Sequence, residues 1–254
     1  MSIKTATLNG VATIEIARPE KKNAITMAMY EAMAEAIQAA DADAKVRAVL
    51  ITGQPTLFTS GNDLEDFMAR PPRDADAPVF QFMRALMGCE KPVVAAVNGA
   101  AIGIGTTMLL HCDLVYVADD ARLAMPFVAL GLVPEFGSSL LVPRLMGHAK
   151  AAEKLLLGDP MTGAEAHEFG IANKVLPAAE VASHARRMAE RFNTLAPSAV
   201  RASKKLMRAP GLAELQRVIQ EEAEIFSARL RSPEATEAFQ AFFQKRAPDF
   251  SKFD

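Results

Sequence analysis

The chain has 254 residues, 50% of them hydrophobic and 23% charged, which is enough apolar material to bury the core of one large domain. Its 28 Lys and Arg against 30 Asp and Glu leave a net charge of -2, so no overall basic field invites nucleic acid, and an anionic ligand must be met locally. Two cysteines (Cys89 and Cys112) and four scattered histidines have no metal-ligand spacing, no stretch approaches the roughly 20 apolar residues of a membrane span, and the first twenty residues lack a signal peptide's apolar run, so the expectation is a metal-free protein of the reducing cytoplasm.

From the start of the chain, IKTATL and VATIEIA flank Asn9-Gly10 and predict a hairpin over residues 3–17. Thr26 is placed to cap a helix running to about Ala40, with Met27, Tyr30, Ala34 and Ile37 at helical spacing. VRAVLITG, residues 46–53, is a near-continuous apolar run, as expected of a strand covered on both faces. It leads into FTSGN, residues 58–62, a small-residue turn able to present a backbone N–H, after which Asp63 is read as ordering the loop. MARPPRDADAPV, residues 68–79, has no apolar period and reads as a mobile surface loop.

PVVAAVNG at 92–99 predicts a second buried strand, followed by the glycines 99, 103 and 105 of NGAAIGIG. Those glycines lie between a strand and a helix beginning near Gly105, whose free N–H groups suit a developing anion. They do not follow the order of a dinucleotide fingerprint; no phosphate loop is present, and Phe58 occupies the place where a nucleophile elbow around Ser60 needs glycine. DLVYVA at 113–118 and IANKVL at 171–176 predict further strands, with Cys112 and Asp113 read as architecture at a helix-to-strand junction. Strands alternating with helices imply an α/β chain with parallel pairing.

Between the last two strands, ALGLVPEFGSS at 129–139 contains one charge, Glu135. Such a carboxylate is solvated, or serves as an acid at a helix N-terminus near Gly137 and Ser138, or is kept for the chemistry of a raised pKa. From Pro197 only helical patterns remain: SAVRASKKLMR, LAELQRVIQEEAEIFSARLR, and a last helix with Ser232 as N-cap and Pro233 at the first helical position. The switch divides the chain at 196/197, and the stripe Ala235, Ala238, Phe239, Phe242 and Phe243 is either core or a subunit contact.

Several ordered segments together resemble the crotonase superfamily, the enoyl-CoA hydratase/isomerase family, over nearly the whole chain: RPEKKNAIT, FTSGNDL, KPVVAAVNGAAIGIG, CDLVYVADDARLAMP, LGLVPEFGSSLLVPRLMG, MTGAEAHEFGIANKVLP and FFQKRAPDF. The resemblance implies a spiral of ββα turns with a C-terminal helical trimerisation segment, a homotrimer or dimer of trimers, and an acyl-CoA thioester as substrate with no further cofactor. It implies that backbone N–H groups of Ser60 and Ile104 hold the thioester oxygen. At the positions of the two glutamates of a typical hydratase stand Thr107 and Phe127, whereas PEFGSS resembles the Δ3,Δ2-enoyl-CoA isomerases, in which a single glutamate, here Glu135, moves a proton between C2 and C4. Enoyl-CoA hydration and noncatalytic acyl-CoA binding are the alternatives. An apolar pocket of Phe127, Leu132, Val133 and Phe136 is expected to raise the Glu135 pKa, and Lys21, Lys22, Lys245 and Arg246 are the candidate cations for the coenzyme A phosphates. Phe67, Met68, Phe80, Phe82 and Met83 are candidates either for an acyl tunnel or for core packing.

Overall fold

Asn9 and Gly10 both take positive φ, 49° and 71°, and turn strand β1 (Ile3–Leu8) back onto β2 (Val11–Ile16) with Leu8 opposite Val11. The computed structural model describes residues 2–72 and 76–253; of the segment 68–79 read as a loop, Met68 and Ala69 end one helix, Pro78 and Val79 start the next, and the centre lies outside the described residues. The Thr26 hydroxyl accepts the Met29 N–H at 3.3 Å and opens α1 (Met27–Ala42), which buries Met29, Tyr30, Met33 and Ile37. Next come β3 (Ala48–Thr52), α2 (Leu64–Ala69) and α3 (Pro78–Gly88). They are followed by β4 (Val93–Val97), β5 (Ala100–Ile102), α4 (Ile104–Thr107), β6 (Leu114–Ala118) and β7 (Arg122–Ala124).

A six-stranded sheet takes the order β1-β2-β3-β4-β6-β9, where β9 is Lys174–Leu176; its first pair is antiparallel and the others are parallel. A second sheet holds β5, β7 and β8 (Met161–Thr162). Consecutive strands alternate between the sheets: β4 then β5, β6 then β7, and before them β3 followed by Thr59, which bridges to Ala101 of β5. With a helix after each pair, the chain winds as a spiral of ββα units, in agreement with the sequence expectation. All five residues of β4 are buried, which is why its sequence is apolar throughout and does not alternate.

The remaining helices are α5 (Ser138–Met146), α6 (His148–Ala152), α7 (Gly163–Glu168), α8 (Ala178–Glu190), α9 (Pro197–Arg229) and α10 (Pro233–Phe243). α9 differs from expectation, because the two helices read in the sequence form one helix of 33 residues with Pro210 inside it. Proline removes one helical N–H and crowds the preceding turn, but this helix is anchored on both sides of it. Before Pro210, Lys204 Nζ and Arg208 Nη2 reach the two oxygens of Asp113 at 2.7 and 3.0 Å. After it, Glu222 and Phe226 are buried against the rest of the molecule. α10 starts on the predicted Ser232 cap, and of its apolar stripe Ala235, Ala238 and Phe239 enter the core while Phe242 and Phe243 are 58% and 43% exposed.

Asp113 also accepts the Val93 N–H at 2.7 Å, so one carboxylate ties α9 to the ends of two sheet strands, as the architectural reading of this residue anticipated. Removing it leaves the buried Lys204 ammonium without its counter-charge. Asp113→Ala is expected to destabilise the fold by about 2–3 kcal/mol, read as a lower midpoint in urea unfolding.

Candidate active site

Two glycine-bearing turns meet where the strands end. Thr59 N–H donates to Ala100 O at 2.9 Å and Ile102 N–H returns a bond to Thr59 O at 3.1 Å. The contact is close enough to require the glycines: a Cβ on Gly61, at φ 88°, would lie 2.7 Å from Ile102 O and 4.0 Å from Gly103 N. The first turn is shaped from a distance by Asn23, a fully buried residue. Its amide donates to Leu57 O at 3.2 Å and Phe58 O at 3.0 Å, and its carbonyl accepts the Thr59 hydroxyl at 2.7 Å. Sequence reasoning noted the KKNAIT segment without seeing this task.

The same neighbourhood corrects the first expected donor. Ser60 N–H is already bonded to Lys22 O at 3.1 Å. Two residues on, Ile25 pairs with Asn62 by accepting the Asp63 N–H and donating to Gly61 O, which turns the Asn62 N–H away from that strand. Among the described residues that N–H has no acceptor, and neither has the Ile104 N–H at the first position of α4, after a cap residue without a side chain. The branched Ile104 side chain sits in the hydrophobic core. Asp63 orders the turn as expected, accepting the Asp66 N–H at 3.1 Å and pairing with Arg18 at 2.6 Å.

Glu135 is 8% exposed, and no cation touches it among the described residues. Its Oε1 accepts the Thr107 hydroxyl at 2.5 Å. Burial pushes its pKa from 4.5 up to about 8, opposed by the Thr107 bond and reinforced by the nearby Glu222 charge. Thr107, noted in the sequence only as a residue that is not glutamate, is therefore a contact of the remaining one.

After Glu135 the backbone turns through two left-handed residues, Phe136 at φ 57° and Gly137 at φ 76°. Phe136 is held there by His111, whose Nε2–H donates to Phe136 O at 2.7 Å and whose ring stacks on the phenyl ring with centroids 3.8 Å apart. Burial takes the His111 pKa down to about 4, so the imidazole is neutral near pH 7. The helix-terminal role considered for Glu135 belongs to another acid: Glu222 of α9 accepts the N–H groups of Gly137 and Ser139 at 2.6 and 2.9 Å.

Glu135 opens on a narrow cleft walled otherwise by Asn62 and by apolar residues from α2, α3 and α9, chiefly Phe67, Phe80, Met83, Ile219 and Phe226. Of the expected pocket only Phe136 lines it; Phe127 and Leu132 are in the core and Val133 packs against it. Of the tunnel candidates Phe67, Phe80 and Met83 are wall residues, whereas Phe82 is fully buried against Tyr30 and Met68 is 49% exposed. The Tyr30 hydroxyl donates to Asn62 Oδ1 at 2.5 Å, and burial, with the charge of Glu135, raises its pKa well above the ordinary tyrosine value.

The four candidate cations are not joined in one cluster among the described residues. Lys21 lies 3.7 Å from Glu65 and Arg246 is paired with Glu237 at 2.6 Å. Lys22 and Lys245 are exposed.

The family model described as enoyl-CoA hydratase/isomerase matches residues 6–252. The chain is 35% identical over 246 residues to human enoyl-CoA delta isomerase 2, covering 94% of this chain and 62% of that protein, so it spans about six-tenths of that relative's length. It is 29% identical over 244 residues to 2,3-dehydroadipyl-CoA hydratase of Escherichia coli, covering 94% of each. Among solved structures, Pseudomonas aeruginosa OdaA superposes with a TM-score of 0.93 at 58% identity, covering 95% of this chain and 98% of that one. An enoyl-CoA hydratase/isomerase of Pseudoalteromonas atlantica gives 0.94 at 40% identity, covering 98% and 100%.

Thr107→Val removes the hydroxyl that stabilises the ionised Glu135 carboxyl. Its titration, followed by the side-chain carboxyl 13C shift, is expected to move upward from about 8 by about one unit; an unchanged midpoint would show that water replaces the lost bond.

Proposed function

The chain belongs to the enoyl-CoA hydratase/isomerase family, and within it we propose an acyl-CoA double-bond isomerase that converts 3-enoyl-CoA to 2-trans-enoyl-CoA with Glu135 as the sole proton carrier. The observation that carries this reading is the composition of the cleft: Glu135 is the single ionisable side chain on its described walls, and the remainder is apolar apart from Asn62. Syn addition of water in the family's usual way needs two carboxyl groups, and the positions of that pair hold Thr107 and Phe127. Moving a proton along one face of an acyl chain needs one.

In the proposed mechanism the thioester oxygen lies against the Asn62 and Ile104 N–H groups, which have no competing acceptor. As charge develops on that oxygen the two donors stabilise the enolate, each contributing roughly 3 to 4 kcal/mol in comparable sites. This acidifies C2, and the ionised Glu135 takes its proton. The negative charge spreads through the 3,4 double bond as a dienolate, and the protonated Glu135 returns the proton at C4, leaving the double bond between C2 and C3. A carboxyl with a pKa near 8 suits this exchange, because it gives the proton back readily. The apolar walls keep water from competing for the dienolate.

Lys21, Lys22, Lys245 and Arg246 are the candidates for the coenzyme A phosphates, Lys21 beside Glu65 and Arg246 paired with Glu237. A cytoplasmic homotrimer or dimer of trimers is part of the same reading, supported by the apolar surface that Leu206, Met207, Phe242 and Phe243 leave uncovered in the single chain.

Incubation with 3-hexenoyl-CoA is expected to produce the absorbance of a conjugated thioester, and Glu135→Gln to lower kcat by about 10²- to 10⁴-fold with acyl-CoA binding retained. Faster loss of absorbance from crotonyl-CoA than gain from the 3-enoyl ester reverses the preference in favour of hydration, and calorimetric binding with neither reaction marks a noncatalytic protein. Because the base form of Glu135 is populated only above its raised pKa, kcat/KM of the isomerisation is expected to rise with pH on an acid limb centred near 8. A limb below pH 6 would assign the proton to another group.

A further inference from the structure

α5 starts behind Gly137, a residue with no side chain to cap it. Its first N–H groups are satisfied from outside by Glu222, which lies 85 residues further along the chain, on α9. Both carboxyl oxygens are engaged: Oε2 accepts Gly137 N–H at 2.6 Å, and Oε1 accepts Ser139 N–H at 2.9 Å and Ser139 Oγ at 2.5 Å. Glu222 is 6% exposed and meets no cation among the described residues. A Cβ on Gly137 would lie 2.4 Å from Leu215 Cδ1, so α9 rests directly on this turn. His111 fixes the same turn through Phe136 O. The peptide that carries Glu135 into the cleft is thus clamped between α9 and the 3-10 turn Met108–His111.

We propose that Glu222 is a positioning residue for proton transfer by Glu135: by holding the Gly137 and Ser139 N–H groups it sets the direction in which the Glu135 side chain enters the cleft. The proposal rests on the reading of Glu135 as the proton carrier. Its logic is geometric. Phe136 occupies a left-handed conformation that a phenylalanine adopts only when its surroundings impose it, and two of the imposed contacts grip the peptide that follows it, His111 at its carbonyl and Glu222 at its N–H. Loosening either lets the backbone relax and swings the carboxyl away from one of the two carbons it must serve. Glu222 also acts as a like charge, since its field favours the protonated form of Glu135. The other groups facing Glu135 are Thr107 from α4 and Tyr30 from α1; His111, neutral and behind Phe136, has Arg208 bonded to its carbonyl at 2.7 Å.

The test is Glu222→Gln in the full chain. Glutamine keeps the shape but turns one acceptor into a donor, so it cannot accept from Gly137 and Ser139 through separate oxygens. Isomerisation of 3-hexenoyl-CoA is expected to show kcat about tenfold lower with KM within about twofold, the pattern of a misaimed base with an intact binding cleft. The carboxyl 13C midpoint of Glu135 is expected to fall, because a neighbouring negative charge has gone. Ser139→Ala removes one bond of the clamp and keeps the charge, so it is expected to lower kcat by a smaller factor with the midpoint unmoved. A folded Glu222→Gln enzyme with unaltered kcat and midpoint overturns the proposal; if that variant does not fold, an unaltered kcat in Ser139→Ala overturns it. Absence of turnover in the unsubstituted enzyme would instead sink the isomerase reading, and the Glu135 midpoint in Glu222→Gln would still report whether the two carboxyls are coupled.

Discussion

A carboxyl group held out of water without a cation is the constraint around which this molecule is arranged. Burial of a charge at Glu135 carries a penalty of several kcal/mol unless the group is protonated or hydrogen-bonded, and the surroundings allow both: a raised pKa and one hydroxyl, from Thr107. That hydroxyl is in place because α4 begins at the second glycine turn, and the turn is in place because β4 and β5 deliver it against Thr59. The proposed donor pair and the proposed base therefore share one scaffold. A shift of either glycine turn would displace Asn62, Ile104 and Thr107 together.

The parts of this arrangement that were legible in the sequence are those encoded locally. The hairpin follows from Asn9-Gly10, the start of α1 from Thr26, and the buried strands from unbroken apolar runs such as VVAAV. Glu135 stood out because nothing near it in the chain is charged. What was misread depends on partners far away in sequence. Ser60 is the donor expected from the sequence, and only the Lys22 carbonyl, brought in from far along the chain, takes up its N–H and leaves that of Asn62 in its place. Pro210 marked a helix end by every local rule, yet tertiary anchors at Asp113 and Glu222 carry the helix through it. Phe127 and Leu132 are apolar and near Glu135 in sequence, but adjacency along a loop does not decide which way a side chain faces.

Among the described residues the last strand ends at Leu176 and only helices follow, α8 before residue 197 and α9 and α10 after it, and this helical part is not separate from the site it supports. α9 supplies Ile219, Ala223 and Phe226 to the cleft and Glu222 to the turn after Glu135. The cleft beside Glu135 therefore lies where α9 meets the rest of the chain.

The span between Gly137 and Glu222 also has a meaning in time. A chain made from its N-terminus presents the spiral's strands and both glycine turns well before α9 exists, and early segments begin to order as they emerge. Until α9 has been made, the Phe136–Gly137 turn has the His111 contact but lacks the Glu222 one. Docking of α9 then both closes the wall of the cleft and completes the hold on the turn that carries Glu135. A chain that stops short of α9 can hold a nearly native sheet and still lack the support of the Glu135 turn.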